Sequence, residues 1–293
     1  MLSQLRRFHA LGFERAIIIA SPQNHDTIAE HTAALHGLMQ IDVVVQTEAR
    51  GMGDAMMQTA PLFGDQINVP VYIVQIHDVT DDALHTDMLA AHRNAPQTTY
   101  LAGYEVSEYF PGGYLTVEDD GRITGMVEKP GAGNQPSNLV NIVAHIHADF
   151  GELLEQVRAE YAGPDTSDDH YERAMSALMT QRDYRVVPYS GRWSALKFPW
   201  HVLDVMDHFL SRIDGQHIAD DALIADGASI VGDVIIASGA KVFPGAAVVG
   251  PAYIGAGTIV GNNALVRNSI VLDRCEVGFT TEVARSYVAD RVS

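Results

Sequence analysis

Cysteine occurs once in the 293 residues, at Cys275, which excludes an intrachain disulfide and any cysteine-cluster metal site. Its place inside a repeat makes it a packing residue rather than a nucleophile. Basic side chains are also scarce: 19 Lys and Arg stand against 37 Asp and Glu, a formal charge of −18. Such a surface repels a phosphate backbone, so no nucleic-acid partner is expected. Small anionic substrates stay open, because a nest of backbone N–H groups or a metal ion can reverse the field locally. No apolar run approaches the ~20 residues of a membrane span, and the start MLSQLRRFHALGFERAIII has neither a long apolar core nor a small-residue cleavage site. The expectation is a cytoplasmic protein with no membrane partner. Also lacking is an opening strand followed by a glycine-rich loop, the usual phosphate cradle of nucleotide-binding α/β folds.

What is present is a 47% apolar chain, long enough for one large domain or two ordinary ones. Residues 1–16 have helical apolar spacing with Gly12 as the stop, and Ala16–Ala20 reads as a buried strand. A helix over His25–Leu38, a strand over Ile41–Gln46, a helix over Asp54–Pro61 and a strand over 69–76 follow. This alternation predicts a mostly parallel sheet covered on both faces. Gln46, Gly51, Gly53 and Asp78 lie beyond carboxyl ends of its strands, where ligands of such sheets bind. From Thr98 the pattern turns to short strands with a hairpin at Asp119-Asp120-Gly121, then a strand over Asn138–His147 and a helix over Phe150–Tyr161. The polar run 163–170 reads as a loop, YRVVPYSG as a strand, and PWHVLDVMDHFLSRI as an amphipathic helix.

The last quarter carries a different period. Ile218, Ile224, Ile230, Ile236, Val242, Val248, Ile254, Val260, Val266 and Leu272 recur every six residues. Most are followed four residues later by a small one, as at Ala222, Ala228, Ala240, Ala246, Ala252 and Ala264. A helix of 3.6 residues per turn cannot keep one face at that spacing. A triangular coil with six-residue sides can, its branched residues filling the interior and its small residues the corners. The chain is therefore read as an α/β domain over 1–214 and a parallel β-helix over 215–293.

Several residues have chemistry that suits a site and an ordinary alternative. Asp78 can ligate Mg²⁺ through carboxylate oxygen or cap a turn. Lys129 can meet a phosphate or pair with Glu128. Gln46 can read a base edge through its amide or make a loop hydrogen bond. His145 and His147 share a strand face but have no third ligand nearby, so they read as satisfied surface or cleft histidines. Asp168, Asp169 and His170 read as a solvated loop.

Taken in order, these segments resemble the sugar-1-phosphate nucleotidyltransferases, in the branch with a C-terminal left-handed β-helix. QTEARGMGDAMMQTAP (46–61) resembles the base-recognition segment, with Gln46 and Gly51 against the nucleobase and Met52 where the family has threonine. YIVQIHDVTDD (72–82) resembles the strand ending in Gly-Asp, with Asp78 as the Mg²⁺ aspartate and His77 in place of the glycine. VEKP (127–130) implies that Glu128 and Lys129 contact sugar and phosphate, and LVNIV that Asn141 grips the sugar. SGRWSALKFPWHVLD (190–204) puts Ala195 where the second metal-binding aspartate belongs, and EVGFTTEVARSYV (276–288) resembles the closing turns of the β-helix. No segment corresponds to the family's glycine-rich loop. The resemblance implies a Rossmann-like fold lacking its first strand and loop. It also implies attack of a sugar-1-phosphate on a nucleoside triphosphate, with Mg²⁺, Lys129 as the catalytic residue, and a nucleotide sugar and pyrophosphate as products. The departures leave open a non-catalytic subunit that binds a sugar nucleotide and partners an active relative, and the hexapeptide repeat leaves open acyl transfer. A homo-oligomer is expected from the exposed terminal coils.

Overall fold

Helix α1 (Leu2–Ala10) stops where Gly12 takes φ 96°, a left-handed turn that feeds the chain into β1 (Arg15–Ala20). The computed structural model describes residues 1–164 and 167–293. It divides into two compact units, Met1–Gly191 and Arg192–Ser293. In the first, β1 pairs in parallel with β2 (Gln40–Val45) across α2 (His25–Thr32). The predicted helix to Leu38 is shorter: the Thr32 hydroxyl donates back to the carbonyls of Ile28 and Ala29, and a tight turn over Ala33–Leu35 follows. Leu5, Leu35 and Met39 close a small core under β1 and β2.

Next come α3 (Met52–Met57), β3 (Val71–Val74), β4 (Asp78–Thr80) and α4 (Asp82–Asn94). They are followed by β5 (Thr99–Glu105), β6 (Gly113–Val117), β7 (Ile123–Glu128) and β8 (Leu139–His147). The unit ends with α5 (Phe150–Tyr161), α6 (His170–Met179) and β9 (Tyr184–Tyr189). The main sheet has the order β7-β6-β8-β5-β9, with β3 also on β8. It is mixed, which corrects the mostly parallel expectation: β5 and β9 are parallel, whereas β8 is antiparallel to β3, β5 and β6. The hairpin turn at 118–122 adds β7 antiparallel to β6, since a chain that reverses in a few residues must return antiparallel. Strand β8 is the spine; α5 and α6 supply Leu153, Leu154, Val157, Tyr171, Met175 and Met179 to the core that covers it. Of the loop read over 163–170, positions 165 and 166 lie outside the described residues.

The second unit begins with β10 (Trp193–Ala195) and α7 (Val202–Leu210), and its coils run from β11 (Gln216–Ile218) to β23 (Tyr287–Val288). Three parallel sheets of five, four and four strands wrap into the left-handed β-helix that the six-residue period predicts. Ile218 stacks on Ile236 and Ile236 on Ile254; Val242 stacks on Val260, and Val248 on Val266. The tenth predicted position differs. Ile254 stacks on Val271, not Leu272, because the last full coil is one residue shorter. Asn268, at φ 48°, turns alone the corner that Gly250 and Pro251 turn together one coil below. Cys275 is buried in the stack, its backbone N–H donating to the hydroxyl of Thr258. No helix among the described residues is long and apolar enough to cross a membrane.

Candidate functional site

Strand β2 delivers Gln46 at its carboxyl end, and five residues later the chain makes a close turn. Gly51, at φ 90°, precedes α3, and a Cβ there would sit 2.9 Å from the backbone oxygen of Asp168. A Cβ on Gly53 would sit 2.9 Å from the ring of Tyr161. Both positions thus need glycine for close approach. The Tyr161 hydroxyl ties the turn down, donating to the Arg50 carbonyl (2.5 Å) and accepting from the Asp54 N–H (3.0 Å). Behind it the buried Asp54 carboxylate accepts from Arg50 Nη2 (2.5 Å) and from Gln46 Nε2 (2.8 Å). The same Gln46 nitrogen donates to the Gly51 carbonyl (3.1 Å). Burial pushes the Asp54 carboxyl up, but the hydrogen bonds from Arg50 and Gln46 outweigh it and hold the group below its ordinary value.

The sheet presents the second cluster. Glu128 on β7 faces Gly113 on β6, Tyr114 faces Val140, and Asn141 on β8 faces Gly103 on β5. Glu128, Gly113, Asn141 and Gly103 therefore form one row across four strands. Glu128 and Asn141 share a face, roughly 10 Å apart at two strand spacings. Gly113 itself puts no side chain between them, and the place a Cβ would take is met by Glu128 Oε2 at 3.0 Å and by Met126 Sδ at 3.2 Å. Lys129 follows at φ 44°, among the described residues the one non-glycine in the first unit with positive φ. Its ammonium is 3.5 Å from Glu128 and 3.9 Å from Asp168, the residue packed against Gly51. The Gly51 turn and the Glu-Lys pair thus meet at Asp168.

Asn141 is held from below. Its Oδ1 lies 2.8 Å from His145 Nε2, His145 Nδ1 lies 2.7 Å from the Tyr171 hydroxyl, and that hydroxyl lies 2.8 Å from His147 Nε2. The two histidines are satisfied as expected, but they are fully buried rather than at the surface, because α6 covers that face of β8. Burial pushes His147 down to about 3 and His145 well below its ordinary value, so both are neutral. His170 is also buried, against the expected solvated loop: its ring stacks on Tyr161 at 4.0 Å. Glu172, one turn into α6, is pushed up to about 7 by burial and then by Glu128, Asp169 and Asp168.

Asp78 is reached from β3 by a turn in which its N–H donates to the Gln75 carbonyl (3.2 Å). Its side chain is nearly buried, with His77 Nε2 at 3.9 Å. Gln75 Nε2 lies 3.2 Å from Met52 Sδ, which brings this loop against the start of α3. Among the described residues, no three His, Cys, Asp or Glu side chains converge as a ready metal cage. A lone carboxylate still fits Mg²⁺, which takes one or two protein oxygens and completes its shell with water and substrate phosphates. The sequence reading missed Asp54, Tyr161, Tyr171 and Glu172. Only Asp54 had a local signal, an opposite charge at Arg50 four residues earlier; the others come from α5 and α6, distant in the chain.

The first unit is thus an α/β fold that carries Gln46, Glu128, Lys129 and Asn141 at or near the ends of its strands. Residues 1–194 match the family model described as nucleotidyl transferase, and the chain belongs to that family. Among curated proteins, it is 27% identical over 270 residues to the bifunctional protein GlmU of Methanococcus maripaludis, covering 86% of this chain and 61% of that protein. It is 26% identical over 193 residues to a bifunctional sugar-1-phosphate nucleotidylyltransferase/acetyltransferase of Sulfurisphaera tokodaii, covering 65% of this chain and 46% of that one. The chain thus spans about half the length of these relatives. Among solved structures, UDP-glucose pyrophosphorylase complexed with UDP-glucose shares the fold at TM-score 0.60 and 18% identity, over 72% of this chain and 87% of that chain.

Proposed function

We propose that the first unit binds a nucleoside triphosphate and a sugar-1-phosphate and joins them into a nucleotide sugar, with release of pyrophosphate. The observation that carries this reading is the row Glu128–Gly113–Asn141, which sets a carboxylate and an amide on one face of the sheet, with Lys129 at its end. Glu128 and Asn141 hydrogen-bond sugar hydroxyls, and the Lys129 ammonium neutralises the phosphate whose oxygen attacks the α-phosphorus. Holding Lys129 at positive φ costs about 1–2 kcal/mol, which a structural Lys–Glu pair whose lysine is more than half exposed to water does not return. Asp78 is the residue that would hold Mg²⁺, which when bound supplies charge neutralisation for the two meeting anions.

A second reading, binding of the same ligands without turnover beside an active relative, is favoured by Ala195 standing where the resemblance implies a second carboxylate. The test is pyrophosphate release with Mg²⁺, crossing the common nucleoside triphosphates against glucose-1-phosphate and N-acetylglucosamine-1-phosphate. Release that falls about 100-fold or more in Lys129→Ala, and is abolished in Asp78→Ala, is the expected result. Ligand binding by folded protein without release in any pair establishes the second reading instead.

A further inference from the structure

Gln46 has one amide nitrogen with two hydrogens, and both are used. One goes to the Gly51 carbonyl at 3.1 Å and the other to Asp54 Oδ2 at 2.8 Å. A carbonyl and an ionised carboxylate can only accept, so the amide cannot be turned over: Nε2 must face them and Oε1 is the atom left for a ligand. Asp54 itself has no freedom, since Arg50 grips its other oxygen through Nη2 at 2.5 Å and Nε at 3.2 Å. The Tyr161 hydroxyl fixes the backbone of both Arg50 and Asp54.

We infer that Asp54 is a specificity-determining positioning residue, which makes Gln46 a pure hydrogen-bond acceptor and so selects nucleobases with a ring N–H, uracil, thymine or guanine, over cytosine and adenine. The inference rests on the proposed binding of a nucleoside triphosphate and on the nucleobase contact that the resemblance implies for Gln46. Uracil and cytosine have the same ring size and differ at N3, which carries a hydrogen in one and a lone pair in the other. Opposite Gln46 Oε1 the first makes a hydrogen bond and the second sets two acceptors against each other. A site built to hydrogen-bond one group rejects the analogue lacking it far more strongly than a hydrophobic pocket does.

The test measures affinities of the full chain, with Mg²⁺, for UTP against CTP and GTP against ATP, in the wild type and in Asp54→Asn. An asparagine can offer either an oxygen or an NH₂ to Gln46, and so removes the shorter of the two contacts that hold its amide in one sense, leaving only the Gly51 carbonyl. The wild type is expected to prefer the N–H base by about tenfold or more in whichever ring size it binds, and Asp54→Asn to shrink that ratio at least about fivefold. The ratio is the readout because a merely structural role would weaken both members of a pair together. In the wild type, the Gln46 side-chain NH₂ is expected to keep its protection from solvent exchange without ligand, and to show no magnetisation transfer to the bound base. A wild-type ratio near one, an unchanged ratio in folded Asp54→Asn, or transfer from that NH₂ to the base overturns the inference. If triphosphates bind without N–H preference, this inference alone falls; if none of the four binds folded protein, the proposed function falls and takes it along.

Discussion

Gln46, Asp54 and Arg50 form a chain of hydrogen bonds in which each group orients the next, and the same logic runs through the buried side chains beneath Asn141. Replacing Tyr171 by phenylalanine removes the hydroxyl that satisfies both His145 and His147. It is expected to cost about 1–3 kcal/mol of stability for each nitrogen left unpaired, measured by urea denaturation. The buried histidines also set a pH dependence. Burial pushes His85 down to about 4 and His147 to about 3, below the ordinary value near 6.5. Between those limits the unfolded chain binds protons that the fold excludes, so stability falls as pH falls from about 6.5 toward 4. Glu172, pushed up to about 7, works the other way, adding stability as pH falls from 7 toward its ordinary value near 4.5. The urea midpoint is therefore expected to be lower at pH 5 than at pH 7.5, and Glu172→Gln, which removes the opposing group, to make the drop steeper. At Gly51, alanine meets both a positive φ and the Asp168 oxygen. Gly51→Ala is expected to lose nucleotide affinity at least about tenfold, read by titration calorimetry, because the turn must move before the Cβ fits.

Among elements, the coils show how one position changes a register. The six-residue period holds through Val266 because every corner below uses the same number of residues. Asn268 shortens the next corner by adopting φ 48°, a conformation asparagine tolerates better than other non-glycine residues and β-branched residues worst of all. Asn268→Gly is expected to leave thermal stability nearly unchanged, whereas Asn268→Val lowers it by about 1–2 kcal/mol, measured by calorimetry. In the first unit, β8 illustrates the same dependence on neighbours. Its nine residues pair with β6 near Val140 and with β3 from Ala144 to His147 along one edge, and with β5 along the other. One strand thereby carries Asn141 into the row with Glu128, and His145 and His147 into the core.

For the whole molecule, a formal charge of −18 means that compaction works against self-repulsion. Raising NaCl from 10 to 200 mM shortens the Debye length from roughly 30 Å to under 10 Å, so thermal stability is expected to rise over that range. The sequence by itself determined the β-helix, since a six-residue apolar period has one compact solution, and it determined the order of the α/β elements from runs such as Ala16–Ala20 and Phe150–Tyr161. It also marked Gln46, Gly51, Asp78, Glu128, Lys129 and Asn141 as candidates, by local resemblance. Only the tertiary structure decided that the sheet is mixed, that Val271 rather than Leu272 enters the stack, and that His145, His147 and His170 are buried. Only it placed Asp168 between Gly51 and Lys129, and Asp54 against Gln46. The physical reason is range. Periodicity and turn chemistry act between residues a few positions apart, whereas burial, hydrogen-bond direction and charge depend on α5 and α6, which fold over the site from more than a hundred residues away.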